Sequence, residues 1–188
     1  MSRLHTPQDV NASPEGSRAQ LNAVGKSLGS VPNLFRLVGN SPAALKGYLG
    51  LGAALSSAKL DAPTQERIAL AIAEVNGCGY CLSAHTYLAR NVAHLDDAEI
   101  SANRNGASQD PRADAAVRFA AQVVRARGHV TGDQLDALKG AGYGDAEIVE
   151  IVLAVALNTF TNYINEVAKT EIDFPVVAPQ ARSAALAA

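Results

Sequence analysis

The sequence lacks the features that mark several large classes of protein. It contains no Trp, one Met and two Cys among 188 residues. Two cysteines are too few for the disulfide framework that stabilises small secreted domains. The 16 Lys and Arg residues do not outnumber the 18 Asp and Glu residues, and the formal net charge is −2. Because a nucleic-acid-binding surface needs an excess of positive charge, we expect no nucleic-acid partner.

Long apolar runs are also missing. The most apolar stretch, residues 148–157, is interrupted by Glu150 and is shorter than the roughly 20 residues that cross a bilayer. The first residues do not contain the apolar middle region of a signal peptide. We therefore expect no membrane association and a cytoplasmic location, where structural disulfides are rare.

What the sequence does contain is the composition of a globular protein, with 48% hydrophobic and 18% charged residues. Its length is that of one domain. Apolar residues recur at helical spacing, as in Ile68, Ile72 and Val75, and no sustained strand-like alternation interrupts them. The sequence therefore predicts an all-α fold of about eight helices.

Helix starts are marked by cap residues that precede a proline in the first turn. These pairs are Ser13-Pro14, Ser41-Pro42, Asp61 with Pro63, and Asp110-Pro111, and Thr131 and Asp145 are further cap candidates. We predict a single domain over residues 1–188, with its core at about 13–170. Residues 1–12 and 171–188 are predicted to be arms or tails.

The two cysteines, Cys78 and Cys81, form a Cys-x-x-Cys motif directly after Gly77. Because Asn-Gly is a strong helix stop, the motif is predicted to lie at the N-terminus of the next helix. Free N–H groups and the helix dipole stabilise a thiolate there and lower a thiol pKa from its usual value of about 8.5. The spacing also lets the two sulfurs form a disulfide with little movement.

His85 follows Cys81 by four residues, so both side chains project from one helical face. An imidazole is a suitable acceptor for the thiol proton. The spacing therefore favours Cys81 as the nucleophile and Cys78 as its resolving partner. Glu66 and Glu74, on the preceding predicted helix, can each orient the imidazole, and spacing alone leaves them nearly even.

Two structural interpretations of the cysteines stay open. They can be small core residues without chemistry, or they can hold zinc with His85 and one further ligand. The candidates for that ligand are Glu66, Glu74 and His94. Asn162 and Asn165 are interpreted as cap or core polar groups, with a role in lining a pocket as the alternative.

Together, Glu66, the two cysteines and His85 resemble the Glu…Cys-x-x-Cys-x-x-x-His pattern of the alkylhydroperoxidase D-like proteins. These proteins belong to the carboxymuconolactone decarboxylase superfamily. The resemblance covers about residues 30–170, and the segment 158–163 looks like the peroxidase-related branch.

The resemblance implies an all-α fold and assembly into trimers or hexamers. It implies that Cys81 attacks a peroxide, that Cys78 resolves the sulfenic acid as a disulfide, and that His85 and Glu66 relay the thiol proton. It thereby selects Glu66 over the second glutamate. Well-studied members carry a His between the cysteines where this chain has Tyr80, which predicts a shorter relay and a weaker peroxidase activity.

We therefore expect an oxidoreductase, a thiol-dependent peroxidase that takes a hydroperoxide and an external dithiol as its partners. No cofactor and no metal is expected. The first alternative is a general thiol–disulfide reductase or redox relay with little peroxidase activity. The second is a non-catalytic helical oligomer whose cysteines are structural or bind zinc.

Overall fold

The computed structural model describes residues 2–180, and this range folds into nine α-helices without a β-strand. The helices are α1 (Glu15–Leu28), α2 (Asn33–Val38), α3 (Pro42–Ser56), α4 (Ala62–Asn76), α5 (Gly79–Asn91), α6 (Asp97–Arg104), α7 (Pro111–Arg125), α8 (Gly132–Gly140) and α9 (Asp145–Ala168). The predicted all-α fold is confirmed.

Most helix starts follow from an oxygen-bearing cap that accepts a hydrogen bond from the first turn. The caps of α3, α4, α6, α7 and α8 are Ser41, Asp61, Asp96, Asp110 and Thr131. Two predicted caps are wrong. At α1 the cap position is Pro14 rather than Ser13. At α9 the cap position is Gly144, so Asp145 lies inside the first turn, where its charge favours the helix dipole.

Two short helices, α2 and α6, have no start predicted from the sequence. The six residues of α2 lie between Pro32 and Gly39 and are too few to show a helical period. The eight residues of α6 are mostly polar, and three of them are buried. Neither helix has the long apolar stripe from which a helix is predicted in a sequence.

The centre of the fold is α4, which packs against α5, α6, α7 and α9. Residues 68–73 of α4 are buried without interruption and alternate small and large side chains, with Ile68 and Ile72 fully enclosed. The alanines between them allow neighbouring helices to approach closely. This central helix fixes the position of Glu66 near its start and of the turn at Gly77.

By length and composition alone, α9 could cross a membrane. It has 24 residues, and 33% of its most apolar window is buried inside the protein. It packs against α3, α4, α5 and α7, which makes it a core helix on that side. Its other side carries exposed large apolar residues, namely Val149, Val152, Phe160, Tyr163 and Val167.

Residues 171–180, which we call the C-terminal strap, are not a free tail. The strap has no helix, yet Ile172, Phe174 and Val177 pack against the buried cysteines and their neighbours. The N-terminal arm is also attached, since Arg3 N donates to Ala168 O and Val10 joins the same cluster. Residues 181–188 of the predicted tail lie outside the described residues.

Candidate active site

The two cysteines lie where α4 turns into α5. Gly77 ends α4 with a left-handed backbone conformation, φ 69°, that favours glycine. Cys78 is then the N-cap of α5, and its Sγ accepts a hydrogen bond from Cys81 N at 3.3 Å. A sulfur therefore occupies the position that an oxygen occupies at five other helices, and the predicted placement at a helix N-terminus is observed.

Both thiols are free and almost completely buried, with Cys78 0% and Cys81 2% exposed. The pKa of Cys81 is lowered to about 7, first by the hydrogen bond with Cys78 and then, against burial, by the charge of His85. The pKa of Cys78 is raised by the same hydrogen bond and by burial. Cys78 is therefore the thiol that keeps its proton, and Cys81 is the more acidic of the two.

His85 is held by Glu66, whose Oε2 lies 2.9 Å from the imidazole Nδ1. Burial disfavours the imidazolium, but the charge and hydrogen bond of Glu66 and the charge of Cys81 outweigh it and raise the pKa of His85. A cationic imidazole beside a buried sulfur stabilises the thiolate. The structure thus brings Glu66, His85 and both cysteines together, as the sequence predicts.

The second glutamate, Glu74, is engaged elsewhere. Its carboxylate forms an ion pair with Arg104 Nε at 2.7 Å and accepts a hydrogen bond from Gln180 N in the strap. It therefore ties α4 to α6 and to the strap, and Glu66 is the glutamate that reaches His85. Of the two glutamates that spacing left nearly even, Glu66 is the one whose carboxylate contacts the imidazole.

The zinc interpretation needs a fourth ligand near the cysteines. Of the other candidates, His94 is exposed in the loop after α5, and Glu74 is paired with Arg104. In the described part of the chain, no group of three or more His, Cys, Asp and Glu side chains is placed to hold a metal ion.

Two asparagines on α9 complete the polar surroundings of Cys81. Asn165 Nδ2 donates to Cys81 Sγ at 3.3 Å, and Asn162 Oδ1 accepts from Asn76 Nδ2 at 2.9 Å. Both side chains are buried. The sequence shows them as polar residues on an apolar helix. Whether they are core polar groups or line a pocket depends on packing between α9 and α5, which the sequence does not show.

Tyr48 of α3 is a site residue that the sequence analysis missed. Burial raises its pKa, and the nearby charges of Cys81 and Glu66 raise it further, so the hydroxyl stays protonated close to both. The only available signal is an aromatic side chain among the small residues of α3, and that pattern does not point to a reactive site.

A cavity of about 500 Å³ opens beside the imidazole. Its walls are largely aromatic and include Phe35, Tyr48, Tyr80, Tyr87 and Phe174, together with His85. Tyr80 donates from its hydroxyl to Asp173 Oδ1 at 2.8 Å and accepts from Leu34 N at 3.1 Å. Tyr80, between the cysteines, therefore forms part of the cavity wall and anchors residue Asp173 through its hydroxyl. Burial raises its pKa, so the hydroxyl stays protonated at neutral pH and does not act as a base.

The C-terminal strap closes the site over the start of α5. Val177 N donates to Ser83 Oγ at 2.9 Å, and Asp173 Oδ2 accepts from Asn33 N at 2.7 Å. A side chain added at Gly79 would lie 3.7 Å from Pro179, which shows how closely the strap passes the motif. The strap therefore contributes both to the burial of the cysteines and to the cavity wall.

Comparison with known proteins agrees with the all-α fold. The model of the carboxymuconolactone decarboxylase family matches residues 42–126, which include all four predicted site residues. The chain is similar to an alkylhydroperoxidase AhpD core, an uncharacterized peroxidase-related protein from Ralstonia eutropha JMP134, with a TM-score of 0.80, 25% identity and 92% of each chain covered. No significant match to a protein of curated function was found.

Two further solved structures share the fold at 22% identity. An uncharacterized peroxidase-related protein from Silicibacter sp. TM1040 has a TM-score of 0.78, with 90% of this chain and 91% of that chain covered. The debrominase Bmp8 has a TM-score of 0.76, with 91% and 92% covered. A cysteine-to-alanine variant of Bmp8 has been solved in complex with 2,3,4-tribromopyrrole.

Proposed function

Because the chain belongs to the alkylhydroperoxidase D-like and carboxymuconolactone decarboxylase superfamily, we propose that it is a thiol-dependent peroxidase. In this proposal, Cys78 and Cys81 reduce organic hydroperoxides by cycling between a dithiol and a disulfide. The observation that carries it is the placement of Cys81, whose N donates to the sulfur of Cys78 at 3.3 Å, on the same helix as an imidazole that Glu66 holds at 2.9 Å.

The oxidative step begins with transfer of the Cys81 proton to His85. The thiolate then attacks the terminal oxygen of R–O–OH, forming a sulfur–oxygen bond and breaking the O–O bond. The imidazolium returns its proton to the leaving alkoxide, so the products are R–OH and Cys81–S–OH. Glu66 keeps the imidazole oriented and stabilises its cationic form during this exchange.

The resolving step uses Cys78, which remains a protonated thiol in the resting site. Its sulfur attacks the sulfur of Cys81–S–OH, and water leaves as the disulfide forms. An external dithiol then exchanges with that disulfide and regenerates both thiols, becoming oxidised itself. Two electrons thus pass from the dithiol to the hydroperoxide, and the cycle as written uses no metal or cofactor.

Two cysteine variants test the order of these steps. Cys81→Ser should reduce peroxide consumption to the uncatalysed rate, because the attacking sulfur is absent. Cys78→Ser should still react once and then retain a sulfenic acid that a sulfenic-acid-specific reagent labels at Cys81. Labelling at residue 78 in the Cys81→Ser variant, or wild-type turnover in either variant, would refute the assignment.

The cavity supports an organic rather than a small inorganic peroxide. Its volume of about 500 Å³ lies in the range of small-molecule sites, and its aromatic walls favour an apolar R group. We therefore expect a bulky aromatic hydroperoxide to give a higher kcat/KM than hydrogen peroxide. The comparison is made by coupled consumption assays with the same dithiol.

Reductive dehalogenation is a second candidate, favoured by the same aromatic cavity and by the likeness to debrominase Bmp8. A dithiol that becomes a disulfide balances the reaction Ar–Br + 2 R–SH → Ar–H + R–S–S–R + HBr. Incubation of the reduced protein with a brominated pyrrole, followed by bromide measurement, distinguishes this candidate. Stoichiometric bromide release without peroxide consumption would replace the first proposal by this one.

A general disulfide reductase remains the third candidate. The observation against it is the burial of both sulfurs beneath α9 and the C-terminal strap, which prevents a protein disulfide from approaching them directly. Comparing the rates with peroxide and with a protein disulfide separates the two activities. We further propose that the enzyme works in the cytoplasm, where dithiol reductants are available.

We also propose that the chain forms a homo-oligomer, a trimer or hexamer as the resemblance implies. The exposed apolar side of α9 is long enough to form an interface between copies, and Gly47 and Gly50 of α3 leave open space beside their backbone. Sedimentation of the wild type should give one defined oligomer. Val152→Lys, which places a charge on the apolar side of α9, should shift it toward monomer.

A further inference from the structure

Three asparagines lie on the buried side of α9, a helix whose core contacts are otherwise mostly apolar. Asn158, Asn162 and Asn165 are at most 8% exposed. Burial of an amide costs free energy unless its atoms find partners, and Asn has a low helix propensity. A leucine, which has the same branching at Cγ, would carry no such cost, so the contacts of each amide decide what it contributes.

Asn165 directs its amide at the reacting sulfur. Its Nδ2 donates to Cys81 Sγ at 3.3 Å, and within residues 2–180 its Oδ1 has no hydrogen-bond partner. The bond to sulfur is thus the hydrogen bond that holds this side chain. Because hydrogen bonds to an ionised group are stronger than those to its neutral form, this donor favours the thiolate over the thiol.

Asn162 lies one turn before Asn165 and is oriented by Asn76, which donates to its Oδ1. This arrangement leaves Asn162 Nδ2 as a buried donor, without a hydrogen-bond partner in the described range. A buried donor without a partner is costly, and a nearby anion reduces that cost. After the larger effects of Cys78, burial and His85, both asparagines lower the pKa of Cys81.

We propose that Asn165 and Asn162 form a donor pair that ionises Cys81. Asn165 is the catalytic member, since it touches the reacting sulfur, and Asn162 is a weaker positioning donor held by Asn76. Only a cysteine that reacts as a thiolate gains from such donors, so the donor pair rests on the proposed function. The donor pair adds hydrogen-bond donors from α9 to the relay formed by the cysteines, His85 and Glu66.

The other groups that face Cys81 are not themselves replaced in the asparagine variants. They are Cys78, Tyr80 and His85 of the α5 region and Tyr48 of α3, with Glu66 and Glu166 one contact further away beside His85 and Cys78. Burial keeps both tyrosines protonated near neutral pH. A change in the Cys81 titration on replacing an asparagine therefore reports the amide itself.

The test is a pH titration of the thiolate ultraviolet absorbance in the full-length reduced protein. Asn165→Leu should raise the Cys81 pKa by about one unit, the size expected for one charge-assisted hydrogen bond. Asn162→Leu should raise it by less, about half a unit. At about pH 7, peroxide consumption by Asn165→Leu should fall about fivefold and recover as the pH is raised by two units.

Asn158→Leu is the matched control, because Asn158 lies on the same side of α9 and donates only to Ala154 O of its own helix. It should leave the titration unchanged. Asn165→Ala serves if the leucine variant does not fold, and its shift should have the same sign. An unchanged titration in both Asn165 variants, or an equal shift in the control, would overturn the donor pair. If the wild type consumes no peroxide, the proposed function fails, whereas the titration still decides the donor pair.

Discussion

Two buried acidic groups in this protein, the carboxyl of Glu99 and the thiol of Cys81, both have lowered pKa values, but only the thiol titrates near neutral pH. Glu99 is 5% exposed and accepts hydrogen bonds from four groups. These donors are Arg67 Nε, Asn103 Nδ2, Ser108 Oγ and Gln109 N. Burial opposes the charge of Glu99, but the donors outweigh it and lower its pKa to about 2.

The charge of Cys81 is also supported by four groups. A thiol, an imidazole and two amides outweigh burial and lower its pKa from the ordinary 9.0 to about 7. The carboxylate is therefore charged at every working pH and joins α4, α6 and the loop before α7, whereas the sulfur exchanges its proton near neutrality. The comparison shows that surroundings which favour the charged form of both groups give a permanent anion from a carboxyl, with an ordinary pKa of 4.5, and a group that titrates near neutral pH from a thiol, with an ordinary pKa of 9.0.

Among the changes near Cys81, the largest effect on peroxide consumption is expected from Glu66→Gln. This substitution keeps the shape of the side chain and removes its charge. The imidazolium loses its stabilising partner, and peroxide consumption should fall about hundredfold, as for loss of acid–base catalysis. Steady-state assays measure this change. Glu74→Gln is the matched control and should change the rate by less than about threefold, since Glu74 binds Arg104 instead. Equal losses in both variants would contradict the assignment of Glu66.

On the structural side, Glu99→Gln should lower the free energy of unfolding by about 3 kcal/mol, because Arg67 then stays buried without its anion. The thiolate titration should not move. Urea unfolding and the ultraviolet titration of the same sample measure the two quantities. A shift in the Cys81 pKa comparable to that of an Asn165 variant would break the distinction between the two anions.

Glu99 also predicts a pH dependence of stability. Its pKa is about 2 in the folded protein against 4.5 for an ordinary glutamate, so its contribution is complete above about 4.5 and is lost as the pH falls toward 2. The free energy of unfolding of the wild type, measured with urea, should decrease as the pH falls from about 4.5 toward 2. The Glu99→Gln variant should show a smaller decrease, and an identical decrease would exclude Glu99 as its source.

The smallest effect is expected from Asp173→Ala, which removes the strap's hydrogen bonds to Tyr80 and Asn33. Looser attachment of the strap should increase alkylation of Cys81, the more acidic thiol, about threefold, with a loss of stability near 1 kcal/mol. Mass spectrometry after timed alkylation measures the change. Asp136→Ala, at an exposed position of α8, is the control and should behave as the wild type.

The sequence predicted the parts of this protein that depend on near neighbours in the chain. Caps at Ser41, Asp61 and Asp110 mark helices because a side-chain oxygen bonds the backbone three residues later. The placement of Cys81 and His85 on one face follows from helical geometry in the same way. The selection of Glu66 came from the family resemblance.

The parts that were missed depend on contacts between distant segments. Asn165 reaches Cys81 across 84 positions, and Asp173 reaches Tyr80 across 93. Tyr48 approaches the sulfur because α3 packs on α9, which no local spacing encodes. The strap, predicted as an arm or tail, contacts the start of α5 through Val177 N and Ser83 Oγ and packs apolar side chains near the cysteines, and these contacts also join distant segments.

The most direct test of the account is to add one equivalent of an aromatic hydroperoxide to the fully reduced protein and identify the product by mass spectrometry. The dithiol–disulfide cycle predicts loss of two hydrogen atoms and a peptide in which Cys78 and Cys81 are linked, restored to the starting mass by a dithiol. Two unmodified thiols beside unconsumed hydroperoxide would contradict it.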